Sequence, residues 1–156
     1  MAERARSVTT GASPSLVRQA TCVAREGRAI LIEGPSGSGK TSLALELIDR
    51  GAVLVGDDGV VIERRADHLV VKPHPRTAGL IEVRNLGILG EPICAKARVC
   101  LHILLDSKAP RFIQNAEGIE LAGLVIPSLR LSPWSGPMAI KAERALAVHG
   151  LGPTTR

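Results

Sequence analysis

GPSGSGKT, from Gly34 to Thr41, is a run of small residues closed by an ammonium and a hydroxyl. It fits G-x-x-x-x-G-K-[ST] at every fixed position. Glycines let a backbone curl until its N–H groups converge, and converging N–H groups bind anions. A helix beginning at the end of the run adds about half a unit of positive charge there. Gly34, Pro35, Ser36, Gly37, Ser38, Gly39, Lys40 and Thr41 therefore read as a cradle for the phosphates of a nucleoside triphosphate. In such a cradle Lys40 reaches the β- and γ-phosphates and the Thr41 hydroxyl ligates Mg2+. The flanks agree with this, because ILIE before the run is an apolar strand and SLALELI after it is an amphipathic helix. The competing reading is a Gly/Ser-rich turn that fits the spacing by chance.

A second stretch, LVGDDGVVIE from Leu54 to Glu63, sets Asp57 beside Asp58 between two apolar runs. Asp is depleted from strands, so the pair needs a reason. If the phosphate loop opens a βαβ unit, the following strand returns near the first and ends at the same edge of the sheet. One carboxylate there holds metal or its water, and the other accepts a proton from an attacking hydroxyl. Like charges this close favour one protonated partner unless a cation intervenes, and Mg2+ with Lys40 supplies one. The alternative is a plain turn, for which Gly and Asp are the usual residues.

The elements that must position these groups are mostly strands. Leu16–Ala24 and Ala29–Glu33 read as strands about a Glu26-Gly27 turn. Leu43, Leu47 and Ile48 fall at helical spacing, with Gly51 at the cap. Val53–Val55, Val60–Arg64 and His68–Lys72 read as strands, and Lys72–Gly79 as a Pro/Gly loop. LIEVRNLGIL is strand-like with a bend at Gly87, and Arg98–Asp106 is a strong strand. Ile119–Val125 and Leu129–Leu131 are further strands, and Pro137–Val148 a closing helix. A doubly wound domain alternates strand and helix. Here one helix is followed by strands almost to the end, so the expected class is a strand-rich α/β domain over residues 15–152, with residues 1–14 a flexible tail.

Composition narrows the partners. Hydrophobic residues make up 45% and charged residues 22%, as in a globular protein. The net charge of +5 is spread singly or in pairs, and Phe112 and Trp134 are the only aromatic residues. That leaves nothing for a single-stranded nucleic acid to stack along, so no nucleic-acid partner is expected. No apolar run is long enough to span a membrane. The polar N-terminus lacks an apolar signal core, and Cys22, Cys94 and Cys100 lack metal-ligand spacing. All three read as buried free thiols, which points to a cytoplasmic protein.

GPSGSGKTSLALELIDRGAVLVGDDGV followed by GLIEVRNLGIL resembles the catalytic domain of HPr kinase/phosphorylase, over about Leu16 to Gly150. The short chain is similar to the truncated alphaproteobacterial type. The resemblance implies the family's strand-rich fold, related to phosphoenolpyruvate carboxykinases, and an ATP- and Mg2+-dependent serine kinase of the phosphocarrier HPr that can act in reverse by phosphorolysis. It also implies a homo-oligomer, a hexamer in relatives. Lys40 and Thr41 keep their roles. Asp58 matches the aspartate that accepts the serine proton, and Asp57 its acidic neighbour at the metal. Glu82 matches a second Mg2+ ligand. Arg84 lies in the same signature segment, and Arg111 matches a later catalytic arginine. The family's usual histidine before the phosphate loop falls at Gln19, which cannot titrate, so phosphorolysis is expected to be weak or absent. The glycine usual after Arg84 is Asn85, which tolerates a left-handed backbone.

Bland readings stand beside these. Glu82 and Arg84 could pair on a strand surface. His102, inside RVCLHILLD, reads as a satisfied structural imidazole, whereas His74 in the Pro-rich loop is a candidate stand-in for the missing histidine. Two rival functions remain: an ATP-binding regulator that has lost catalysis, and a P-loop kinase of a small molecule.

Overall fold

The computed structural model describes residues 15–153. The proposed tail at residues 1–14 lies outside them. Strands β1 (Ser15–Arg18), β2 (Thr21–Arg25) and β3 (Arg28–Glu33) lead to helix α1 (Lys40–Asp49). Then come β4 (Val53–Gly56), β5 (Val60–Arg64), β6 (Leu69–Pro73), β7 (Leu80–Val83), β8 (Gly87–Gly90), β9 (Ala97–Leu105), β10 (Glu117–Leu121) and β11 (Leu124–Leu131). Helix α2 (Met138–His149) closes the described chain. The strand-rich α/β architecture expected from the sequence is the one observed.

A nine-stranded sheet runs β1-β5-β6-β9-β3-β2-β4. Strand β9 also pairs with β11, which carries β10. It serves β6 through Arg98 and Ala97 and β11 through His102 to Leu105, so the sheet divides along its length. Strands β3, β9 and β11 are parallel to one another. Strand β4 runs antiparallel to β2, which is antiparallel to β3, so β4 points the same way. All four strands therefore end at one edge.

Both faces of the sheet are covered, which is why β3 reads as one apolar run. Ile30 and Ile32 join the core under the helices, with Leu43, Leu47, Ala142 and Leu146. Ala29 and Leu31 join the core on the opposite face, with Val60, Ile62 and Leu69. A register shift between Ala29 and Ile30 skips Cys100 on β9. At that bulge Cys100 and Leu101 both contribute to the helix-side core, which simple alternation forbids.

Four local expectations need correction. Leu16–Ala24 is not one strand: the chain leaves β1, which pairs with β5, and starts β2, which pairs with β3 and β4. Serving two neighbours in different places requires the break at Gln19-Ala20. Ile119–Val125 is instead a hairpin, reversing at Ala122 (φ 49) and Gly123 (φ 85). LIEVRNLGIL is a hairpin as well, β7 against β8. Its reversal runs through Asn85 at φ 75, with Gly87 at φ 110 opening the return strand. Finally, Cys22 and Cys100 are buried, but Cys94 is only partly so, and all three thiols are free.

Candidate active site

The shared strand edge brings the phosphate loop, Asp57 and the β7–β8 hairpin together. The segment Gly34–Gly39 leaves the end of β3 and delivers Lys40 and Thr41 to the first turn of α1. Glycine is required at two points. A Cβ on Gly34 would lie 2.7 Å from Ser38 Oγ and 3.0 Å from Leu105 Cβ. Gly39 sits at φ 96, where a Cβ would lie 3.0 Å from Trp134 Cζ2. Lys40 Nζ folds back onto its own loop, donating to Gly34 O at 2.7 Å and to Pro35 O at 3.3 Å. Ser38 Oγ is buried in the loop and meets no hydrogen-bond partner among the described residues.

Asp57 is the hub. It follows β4 directly, in a three-residue connection to β5 that Gly56 keeps tight, since a Cβ there would lie 2.5 Å from Gly59 O. Its Oδ1 accepts from Thr41 Oγ1 at 3.0 Å and from Thr21 Oγ1 at 3.1 Å. Its Oδ2 accepts the backbone N–H of Glu82 at 3.1 Å. One carboxylate thus ties the start of α1, the start of β2 and the β7–β8 hairpin together. Asp58 is different. It is exposed, stands at φ 66, and makes no hydrogen bond among the described residues. Asp is one of the few residue types that accept this backbone region at modest cost. The adjacent carboxylates therefore have separate environments, one anchored and one exposed.

The remaining candidates are not drawn into this network. The Glu82 side chain is exposed, and Arg84 is exposed at the start of the hairpin turn. No ion pair joins the two among the described residues. Arg111 is exposed in the long connection after β9, which leaves from the same edge, and Gln19 is exposed between β1 and β2. His74 Nδ1 accepts the Arg76 backbone N–H at 3.1 Å, a local turn bond.

His102 is satisfied, as expected, but its partners were not foreseen. Its Nε2 donates to Glu33 Oε1 at 2.9 Å, and its Nδ1 shares a 2.7 Å bond with Ser128 Oγ. Arg18 closes a fork on the same carboxylate at 2.5 and 2.9 Å. Burial pushes the Glu33 carboxyl up, but the bonds from His102 and Arg18 outweigh it and hold the carboxyl at about 2. Glu33 is the last residue before Gly34, so this chain of bonds across β1, β3, β9 and β11 braces the base of the loop. Thr21, Glu33 and Trp134 were all missed as site residues. Trp134, the lone tryptophan in an almost aromatic-free chain, carried the one signal that could have been read. Among the described residues no cluster of three or more His, Cys, Asp or Glu is placed to hold a metal. No helix among them is long and apolar enough to cross a membrane.

The chain is similar to known proteins. A curated HPr kinase/phosphorylase from Caldicellulosiruptor bescii is 34% identical over 130 residues, covering 75% of this chain and 42% of that protein. One from Clostridium acetobutylicum is 50% identical over 66 residues, covering 42% of this chain and 22% of that protein. This chain thus spans less than half the length of these curated relatives. The solved structure of the Hpr(Ser) kinase/phosphatase from Coxiella burnetii superposes with a TM-score of 0.73 at 22% identity, covering 85% of this chain and 98% of that one, and shows the shared fold. Residues 12–92, more than half of the chain and the part that carries the loop, both aspartates and the hairpin, match the HPr Serine kinase C-terminal domain, and the chain belongs to that family.

Proposed function

We propose that this chain is an ATP-dependent kinase that phosphorylates a serine of HPr or a closely related phosphocarrier. The observation that carries the reading is the pair of bonds on Asp57, from Thr41 at 3.0 Å and from the Glu82 backbone at 3.1 Å. They join the phosphate loop and the signature hairpin at one carboxylate. The donor set suits the cofactors. Thr41 and Asp57 offer hard oxygens of the kind Mg2+ selects, and Glu82 on the hairpin offers a further carboxylate. The Ser38 hydroxyl, without a partner among the described residues, and the Lys40 ammonium, held among them by loop carbonyls, suit the phosphates of ATP. When bound, the metal supplies charge neutralisation on the transferring phosphoryl group.

Each residue then has a distinct task. Lys40 and the backbone from Gly37 to Gly39 hold the phosphates, and Thr41, Asp57 and Glu82 hold the metal. Asp58, whose oxygens meet no partner among the described residues, takes the proton of the incoming serine hydroxyl. Arg84 and Arg111, both exposed, are available to the phosphates or the protein substrate. Transfer needs mainly positioning and electrostatic stabilisation, which a braced loop and an anchored Asp57 provide. The protein would act in the cytoplasm as a homo-oligomer.

Gln19 favours a second reading. An uncharged amide at this edge, where relatives carry histidine by resemblance, suits weak phosphorolysis or an ATP-binding regulator without catalysis. The decisive experiment is incubation of the purified chain with γ-labelled ATP, Mg2+ and HPr from the same genome, beside Asp58→Asn. Label on a serine in the wild type, reduced about 100-fold or more in the variant, is the expected result for a lost general base. Tight ATP binding without transfer would support the regulator, and Gln19→His would then be the reversion to make.

A further inference from the structure

One residue at this edge is unexplained by packing or by the roles above. Trp134 is the only tryptophan in a chain with a single Phe and no Tyr. Its side chain is not spent on the core, because the residue is 66% exposed. An exposed indole on a protein this poor in aromatics is a costly place to put apolar surface. Its backbone stands at φ 55, a region that bulky residues rarely occupy.

The loop that presents it is tied down. Ser135 Oγ donates to Ser132 O at 2.6 Å, and Lys141 Nζ from α2 donates to both Ser135 O and Ser135 Oγ. The position follows from topology. Because β11 is parallel to β9 and β3, the connection from β11 to α2 emerges at the edge where the phosphate loop lies. There the indole N–H points at Gly37 O, 3.4 Å away, and the six-membered ring packs against Gly39, the residue that caps α1. The N–H groups of a phosphate loop line its inner face. Trp134 binds a carbonyl instead, so it flanks the cradle without filling it.

We propose that the exposed face of Trp134 is the platform on which the base of the bound nucleoside triphosphate stacks. The inference rests on the reading of Gly34–Thr41 as a nucleotide cradle. The phosphates occupy the inner face, the nucleoside leaves across the rim at Gly39, and the indole covers that rim. Stacking is tolerant of base identity, so this platform contributes to affinity for a purine nucleotide without choosing between adenine and guanine.

The test compares ATP, GTP and inorganic tripolyphosphate binding to the full chain, as wild type, Trp134→Ala and Trp134→Phe, by calorimetry with Mg2+. The expected result for Trp134→Ala is roughly 5- to 100-fold weaker binding of ATP and GTP, with tripolyphosphate affinity kept and ATP affinity largely restored in Trp134→Phe. The emission of the single tryptophan in the wild type provides a readout that needs no variant: ATP should change it more than tripolyphosphate does. The proposal is overturned if Trp134→Ala binds ATP as the wild type does. It is equally overturned if ATP and tripolyphosphate weaken together, which would make Trp134 a support of the loop. A wild type that binds ATP through Trp134 yet transfers nothing to HPr would refute the kinase and leave the platform standing.

Discussion

Glu33→Gln is the most informative single change to the scaffold, because it keeps the shape of the side chain and removes its charge. Glu33 accepts from both His102 and Arg18, and its side chain is only 16% exposed. Its carboxyl is lowered from 4.5 to about 2. One pKa unit corresponds to about 1.4 kcal/mol, so the shift amounts to about 3 kcal/mol of stability at most. The sign is set by the direction of the shift. A carboxyl depressed in the folded state contributes its full stability above the unfolded value near 4.5, and the contribution is lost as pH falls from there toward 2. Urea unfolding of both proteins from pH 7 to pH 2.5 measures this. The wild type should lose about 2–3 kcal/mol more than Glu33→Gln over that interval, and at pH 7 the variant should already be less stable by a similar amount, because the Arg18 guanidinium is left in a half-buried site with a neutral partner. Parallel pH profiles for the two proteins would refute the account, and with it the view that this chain of bonds braces the base of the phosphate loop.

Two further substitutions test the backbone at the site. Gly39→Ala puts a Cβ into left-handed backbone 3.0 Å from the Trp134 ring and should cost about 1–2 kcal/mol in thermal or urea unfolding. In the double variant with Trp134→Ala the contact part of that cost should disappear, leaving the two effects non-additive. Asn85→Gly relaxes a residue at φ 75 in the hairpin turn, and its melting temperature should be unchanged or rise, by less than about 1 kcal/mol in stability terms. A clear loss of stability would mean that the Asn85 side chain does something the turn alone does not require.

Local chemistry was enough for the parts of this protein that depend on neighbours in sequence. The loop GPSGSGKT, the helix that follows it, the long β9 strand and the α2 helix are each written in a few consecutive residues. The pairing of Asp57 with the loop was also foreseeable, because a strand after the first helix must return to the same edge. What tertiary structure decided was every bond between distant segments. Beyond the loop's Thr41, Asp57 collects donors from Thr21 and Glu82. Glu33 meets His102, and His102 meets Ser128, only because β3, β9 and β11 lie side by side in one register. The strand breaks at Gln19-Ala20 and Ala122-Gly123 were invisible for the same reason. An apolar run states that a strand is buried, but which strand it pairs with is settled by competition among all of them, and no residue within the run records the outcome.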